Sequence, residues 1–256
     1  MKLEKISECL KHNQIPFQED LPEKLEIYLR LLQEWNSRMD PTAVEEETEM
    51  ADRHFVDSLA VLRTNWLFPG AALIDVGTGA GFPGMVLAMA RPDLQVTLMD
   101  AQRKRLAFLE ALRDAADIRN TEIIHSRAED AARNKRFREK YDIAAARALA
   151  PLNVLCEYLL PFVKNGGCAL CWKGPALKQE LDAGERAAGL LGGHLGIQFS
   201  YVVAGREWEH MILPVRKTEK TPFVYPRRAG IPKSKPLGEL PQPRQTVKTN
   251  VQKETE

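Results

Sequence analysis

Apolar residues recur at helical spacing early in the chain and in short strand-like blocks later. Asp20 and Glu23 open an acid-capped helix on which Leu25, Tyr28, Leu29, Leu32 and Trp35 form one face at i, i+3, i+4, i+7 spacing. Asp40-Pro41 stops it. The acidic run Glu45-Glu46-Glu47 opens or precedes another helix, and Arg53-His54-Phe55-Val56-Asp57-Ser58-Leu59 continues helically through Leu62. Residues 1–66 therefore read as a helical cap, with Pro69-Gly70 marking the boundary. From Ala72 strands and helices alternate. Strands are predicted at 72–76, 95–99, 122–125, 142–146, 168–172, 197–203 and 209–214, and helices between them include 103–115, 152–163 and 177–190. Such alternation implies a mostly parallel sheet covered on both faces, here over residues 67–215. The last two strands lack a helical crossover and imply an antiparallel hairpin with Gly205 in its turn. Residues 216–256 read as a Pro- and Lys/Arg-rich tail, disordered from about Gly238. The expected fold is an α/β doubly wound sheet with a C-terminal antiparallel hairpin and an N-terminal helical cap.

The block at 72–76 carries Asp75 as its last residue but one and breaks into Gly77-Thr78-Gly79-Ala80-Gly81-Phe82-Pro83-Gly84. A strand, a glycine turn and a helix start bring a nucleoside-bearing ligand against bare backbone. Asp100 closes the next apolar block, where a carboxylate can accept from both ribose hydroxyls. Two ligand classes use this layout. Gly79 to Gly84 can be read as the GxGxxG of a dinucleotide enzyme. Asp75 to Gly81 can be read as the acidic three-glycine motif of S-adenosylmethionine (AdoMet) methyltransferases. The acid before the loop favours AdoMet, since a carboxylate suits a cationic amino-acid tail and a sulfonium and repels a pyrophosphate. The closing hairpin is likewise more typical of AdoMet methyltransferases. Loops after the strands nominate the rest of the site: Ser126-Arg127-Ala128-Glu129-Asp130 and Arg147-Ala148-Leu149-Ala150-Pro151.

Composition narrows the class. The chain has 256 residues, 44% of them hydrophobic, enough for one full core and a smaller appended unit. No apolar run nears the roughly 18 residues of a membrane span, and the start lacks a signal-peptide core. Cys9, Cys156, Cys168 and Cys171 are too scattered for a disulfide scaffold and point to a reducing cytoplasm. The net charge of +1 hides an asymmetry: residues 1–70 carry 8 Lys/Arg against 14 Asp/Glu, and residues 214–256 carry 10 against 4. A basic tail on a near-neutral core suits a polyanionic substrate, the alternative being a solubilising extension.

The loop after the fourth strand bears on the reaction. Ala146 to Pro151 lacks the Asn/Asp-Pro-Pro-aromatic run that orients exocyclic amines, and Cys156 sits in an apolar helix pattern rather than on a loop as a nucleophile. An acceptor needing no activation remains, such as guanine N7, whose methylation is a matter of alignment and desolvation. Cys168 and Cys171 have metal-knuckle spacing, but i and i+3 on a strand face opposite sides, so no metal is expected. His125 and His194 are isolated and read as structural. His54 beside Arg53 stands on a helix that could face the cofactor cleft. Arg133, Lys135, Arg136, Arg138 and Lys140 form a basic face or a solvated helix.

Several runs resemble the glucose-inhibited division protein B family, the bacterial small-subunit ribosomal RNA guanine-N7 methyltransferases. The resemblance covers roughly residues 20 to 238. It includes Trp35-Asn36, the Arg53–Leu59 and Asp75–Gly84 runs, Lys104-Arg105, Phe108-Leu109, Arg127-Ala128-Glu129, Ala146-Arg147-Ala148, Gly166-Gly167 and Lys173-Gly174. It closes with Tyr225-Pro226-Arg227-Arg228-Ala229-Gly230-Ile231-Pro232-Lys233-Ser234-Lys235-Pro236-Leu237. The glycine loop is common to many methyltransferases, and the Arg-His-Phe-x-Asp-Ser-Leu run with the basic tail is far more specific. Asp40-Pro41-Thr42 stands where the family has Asn-Leu-Thr. The resemblance implies AdoMet contacts at Gly77, Phe82, Ala128, Glu129 and Arg147, and a guanine in the decoding-region stem-loop of 16S rRNA as substrate. On this reading Gly79, Gly81 and Asp100 complete the cofactor site, and Arg53, His54, Arg228, Lys233 and Lys235 meet RNA. No side chain acts as general acid or base, Arg147 lying nearest the chemistry. The partner is 16S rRNA or an assembling small subunit, and the protein is expected to be a cytoplasmic monomer. The rivals are a methyltransferase of another RNA or a small molecule, and a non-catalytic RNA-binding module on the same fold.

Overall fold

The computed structural model describes residues 3–39, 51–204, 207 and 209–239. The Asp40-Pro41-Thr42 departure, the Glu45-Glu46-Glu47 run and Gly205 lie outside them, as does the chain from residue 240. Strands β1 (Ala72–Val76), β2 (Gln95–Asp100), β3 (Thr121–His125), β4 (Tyr141–Arg147), β5 (Val163–Lys173), β6 (Gly193–Leu195), β7 (Phe199–Val202) and β8 (Glu209–Lys217) form one sheet. Its order is β3-β2-β1-β4-β5-β8-β6, with β7 also paired to β8. The first five strands are parallel, and β8 runs antiparallel to β5. Strand order reverses at β1, so the loops after β1 and β4 flank the switch point where such sheets bind ligands.

Alternate strand residues enter two apolar clusters, one per face. Leu73, Leu98, Ile143 and Leu170 pack with α1 (Leu3–His12), α2 (Leu21–Met39), α4 (Gly84–Ala90) and α5 (Arg103–Ala115). Ile74, Val76, Ala144 and Ala169 pack with α6 (Ala128–Ala131), α7 (Leu152–Leu159) and α8 (Leu177–Leu190). A sheet covered on both faces needs apolar residues at consecutive positions, as the run Ala72-Leu73-Ile74 has. Between α2 and β1, a π-helical stretch (Ala51–Val56) leads into α3 (Asp57–Leu59) and a 3-10 turn (Ala60–Arg63). Phe55, Leu59 and Val61 thereby join Leu25 and Leu29 in the first cluster, so the N-terminal helices share a core with the sheet.

The structure departs from the sequence reading in several places. Helix α1 precedes the first helix expected and buries Ile6 and Leu10, one turn apart. Strand β6 is an added three-residue strand; with β7 it lies end to end along the outer edge of β8. The strand expected at 197–203 is shorter, and Ile197 is exposed beyond its end. Pro161 turns the end of the helix expected at 152–163 into a 3-10 turn (Leu160–Phe162), from which β5 starts. Finally, β8 runs past the expected boundary at 215, and residues 218–239 are strapped to the body. Arg138, read as part of a basic face, donates to the carbonyls of Thr221 and Tyr225 at 2.7 and 2.8 Å. Arg133 donates to the Pro226 carbonyl at 2.6 Å. Arg227 forks onto the fully buried Glu157, and the Asn153 amide holds the Leu237 carbonyl at 2.9 Å. These cations serve the fold because buried tail carbonyls need donors.

Candidate functional site

The glycine loop is built on left-handed backbone. Gly77, Gly79 and Gly81 have φ of 70°, 60° and 104°. A Cβ on Gly81 would stand 2.7 Å from Tyr28 Oη, and one on Gly77 would meet Leu149 Cδ1 at 2.7 Å. A Cβ on Gly79 would find nothing closer than 3.9 Å. So Gly81 is required by packing, a side chain at Gly77 would push aside the end of the exposed Leu149, and Gly79 has room for a Cβ.

The two acids that flag the loop brace it. Asp75 is fully buried; its Oδ2 accepts from Thr78 Oγ1 at 2.6 Å and Gly84 N at 2.8 Å, while Oδ1 has no partner. Burial raises its pKa to about 6, against the pull of those two hydrogen bonds and Arg147. Expected to sit near a ligand's cationic tail, the carboxylate instead lies beneath the turn, since the loop amides and α4 need an acceptor there. Asp100 accepts from Gly79 N (2.9 Å) and Gln102 N (2.8 Å), with Arg105 Nη1 at 3.4 Å. With about four acceptor positions on a carboxylate, Asp100 retains about one. The Gly77 and Thr78 amides go to the Met99 carbonyl, and those of Gly81 and Phe82 to the Thr78 carbonyl. With Gly84 N spent on Asp75, this turn lacks the free amides that would cradle a pyrophosphate, which argues against the dinucleotide reading.

A cavity of about 390 Å³ opens over the loop, lined by Gly77, Gly79, Phe82 and Arg147 from the expected set, together with Trp35, Lys104, Arg105 and Leu149. Gly81, Asp100, Ala128 and Glu129 do not line it. Glu129 is buried, and its Oε1 accepts from Gly230 N at 3.0 Å, tying the loop after β3 to the tail. Beyond that tie Arg228, Lys233 and Lys235 are exposed around α9 (Ile231–Ser234). Nothing is described of the Arg53 side chain.

Arg147 divides this cavity from a second, of about 360 Å³, lined by His54, Asp57, Lys173, Glu180 and His210 among others. Its guanidinium lies 4.8 Å over the Phe82 ring. Nη1 donates to Asp57 Oδ2 at 2.8 Å, and Nη2 lies 2.9 Å from His54 Nδ1, which must accept because a guanidinium only donates. His54 stacks on Phe82 at 4.7 Å, and Phe82 stacks on Tyr28 at 5.2 Å. Asp57 also takes His210 Nδ1 at 2.8 Å and the Tyr201 hydroxyl. Burial works to raise the Asp57 pKa; the His210 bond, the Arg147 charge and the Tyr201 bond outweigh it and hold the carboxyl below its ordinary value. Sequence reasoning placed Arg147 and His54 and missed Asp57 as a hub, along with His210, Lys173 and Glu180. Asp57 stands three residues after His54, on one helical face with it, a signal the sequence did carry.

Among the described residues no helix is long and apolar enough to cross a membrane, and no cluster of His, Cys, Asp and Glu could hold a metal ion. In overall shape the chain is similar to the YcgJ protein of Bacillus subtilis, with a TM-score of 0.52, 11% identity and coverage of 65% of this chain and all of that one. A curated ribosomal RNA small subunit methyltransferase G from Alkaliphilus oremlandii is 45% identical over 210 residues, 82% of this chain and 88% of the relative. One from Leuconostoc citreum is 42% identical over 239 residues, 93% of this chain and all of the relative. The family profile for rRNA small subunit methyltransferase G matches residues 21–204. The chain belongs to the rRNA small subunit methyltransferase G family.

Proposed function

We propose that the protein transfers a methyl group from AdoMet to N7 of a guanine in the decoding-region stem-loop of 16S rRNA, acting in the cytoplasm. The observation that carries this reading is the pair of cavities meeting at Arg147, one over the glycine loop at the switch point and one beside it. The first suits the cofactor. Gly79 leaves room for a ligand against its backbone, and Lys104 and Arg105 offer cations to a carboxylate. Gly77, Gly79, Phe82 and Arg147 would hold AdoMet there, while Asp100 and the Ala128-Glu129 loop, expected at its ribose and adenine, stand outside the cavity lining. Gly81 serves by keeping the turn packed under Tyr28. AdoMet supplies an electrophilic methyl group on a sulfonium.

The chain's own contribution is alignment. N7 carries a free lone pair, so no proton has to leave the acceptor, and the residues around Arg147 have only to hold the base and exclude water. Arg228, Lys233 and Lys235 would meet RNA phosphates from the edge tied to the loop after β3. His54, stacked on Phe82 and bonded to Arg147, stands in the substrate cavity rather than on an outer RNA-facing surface.

Two measurements test the proposal together. Calorimetric titration should give one AdoMet site per chain. After reaction with small-subunit RNA, borohydride and aniline should cut at a single guanine, since N7 methylation labilises the ring. Methyl transfer without scission would move the acceptor to another atom, and absence of AdoMet binding would leave an RNA-binding module.

A further inference from the structure

The second cavity contains a pair of side chains whose chemistry the reaction just proposed leaves unused. It runs along the carboxyl ends of adjacent strands, from Arg147 on β4 to Lys173 on β5, which stand beside one another in the register Arg147↔Trp172. Lys173 is thus one strand farther from the glycine loop than Arg147. It meets Glu180 of α8 at 2.5 Å, the two side chains being 10% and 21% exposed. Both protein bonds to Glu180 end on Oε2, one from Lys173 and one from Leu152 N at 2.6 Å. The two lone pairs of Oε1 are left over. Lys173 pairs with Glu180 as an ion pair and donates to the Ala150 carbonyl at 3.3 Å, so its ammonium keeps an N–H for a ligand. The cavity wall therefore presents a donor beside an acceptor.

The chemistry of the acceptor base decides what that pattern can read. Side chains cannot read N7 in the deep, narrow major groove of an RNA helix, so a target base must be splayed out and enter a pocket. If N7 points past Arg147 toward the glycine cavity, the Watson–Crick edge, on the opposite side of the purine, points toward β5. In guanine that edge offers an acceptor at O6 and donors at N1 and N2. Adenine reverses the first two, setting an N–H group against the ammonium and a lone pair against the carboxylate. Resting on the function proposed above, we infer that Lys173 and Glu180 are the residues that select guanine, Lys173 Nζ donating to O6 and Glu180 Oε1 accepting from N1–H and N2–H. A partly buried polar pair of this kind rejects a base that leaves it unpaired more strongly than apolar packing can.

The test uses the full-length protein and reconstituted small subunits carrying guanosine, inosine (no N2 amine) or 6-thioguanosine (a poor acceptor at position 6) at the target. Wild type should prefer guanosine over either analogue by about tenfold or more in kcat/KM. Glu180→Gln keeps a carbonyl for Leu152 N and turns an amide N–H toward the base. It should bring the guanosine-to-inosine ratio close to one without changing AdoMet affinity. Lys173→Met should level the guanosine-to-thioguanosine ratio and leave the inosine ratio as in wild type. Either variant keeping the wild-type ratio at its own position, with N7 methylated normally, overturns the inference alone. A wild-type enzyme that methylates another atom or another RNA overturns the underlying function as well.

Discussion

Asp75→Asn should make the protein more stable at neutral pH, although it alters the acid of the glycine loop. The substitution is nearly isosteric. The side-chain carbonyl can take over the Oδ2 bonds from Thr78 and Gly84, and the amide falls where Oδ1 now lacks a partner, its N–H groups left unpaired as the O–H of protonated Asp75 would be. What changes is the charge. The folded pKa of about 6 lies about two units above the unfolded value, so the ionised form is disfavoured in the folded state by about 3 kcal/mol at about 1.36 per unit. For a raised pKa, the favourable contribution is full below the unfolded value near 4 and is lost as pH rises through about 6. The asparagine variant resembles protonated Asp75 at every pH. Its advantage should therefore be about 3 kcal/mol at pH 7 and vanish near pH 4. Urea denaturation of both proteins from pH 4 to 8, with AdoMet affinity measured alongside, is the assay. A variant less stable than wild type at pH 7, or one whose difference from wild type does not change with pH, would refute the reasoning.

The other glycine-loop prediction separates two glycines that both have positive φ. Gly79→Val, strained at positive φ by about 1–2 kcal/mol and projecting into open space, should abolish AdoMet binding in calorimetry with the fold kept. Gly81→Ala should instead lower the melting temperature, since its Cβ collides with Tyr28, Leu109 and Met85. Asp57→Asn should cost roughly 2–3 kcal/mol at pH 7, because it removes the charge that neutralises a largely buried Arg147. The lowered pKa of Asp57 makes that loss fade as pH falls below about 4, so the pH dependence in urea is opposite in sign to that of Asp75. Neutralising Arg228, Lys233 and Lys235 together should lower the salt slope of RNA binding by about 0.7–0.9 for each phosphate no longer paired with a cation, and leave AdoMet affinity unchanged. The methyl-transfer rate should stay flat between about pH 7 and 8.5, above the titration of Asp75, and a limb in that range would reveal a proton-transferring group.

What was legible in the sequence follows from the range of the forces involved. Strand β1 and helices α5 and α8 match their expected bounds because local periodicity and flanking breakers define them. Strand β6 has three residues, too few for any period, and exists because β8 offers a free edge there. The order of residues 218–239 was hidden for a different reason. Its bonds join Arg138 to Tyr225, Glu157 to Arg227 and Glu129 to Gly230, partners some 70 to 100 residues apart in a segment with no apolar period. A basic, proline-rich composition looks the same whether its carbonyls are bound by water or by arginines of the folded body.

The site divides along the same line. The sequence identified the acids near the ends of β1 and β2, because an acid late in an apolar block is a local pattern, but it could not say which way they point. Both turn inward to hold amides, which leaves this loop short of free donors and shifts recognition to the cavity walls. The strongest constraint on those walls is the one hardest to read locally: Asp57, Arg147 and His210 come from three distant segments and meet only after β4 and β8 have taken their places in the sheet. A reaction that needs no proton transfer leaves no acid–base pair to find. On the proposed function it depends instead on a wall that holds methyl donor and acceptor in line, and a guanidinium fixed by a buried carboxylate, an imidazole and a stacked aromatic column at the edge of both cavities would be such a wall. On that argument Asp57→Asn should lower kcat more than it weakens AdoMet binding, because it loosens the wall between the cavities and leaves the glycine loop intact. Equal losses in the two would mean that Arg147 serves the cofactor alone.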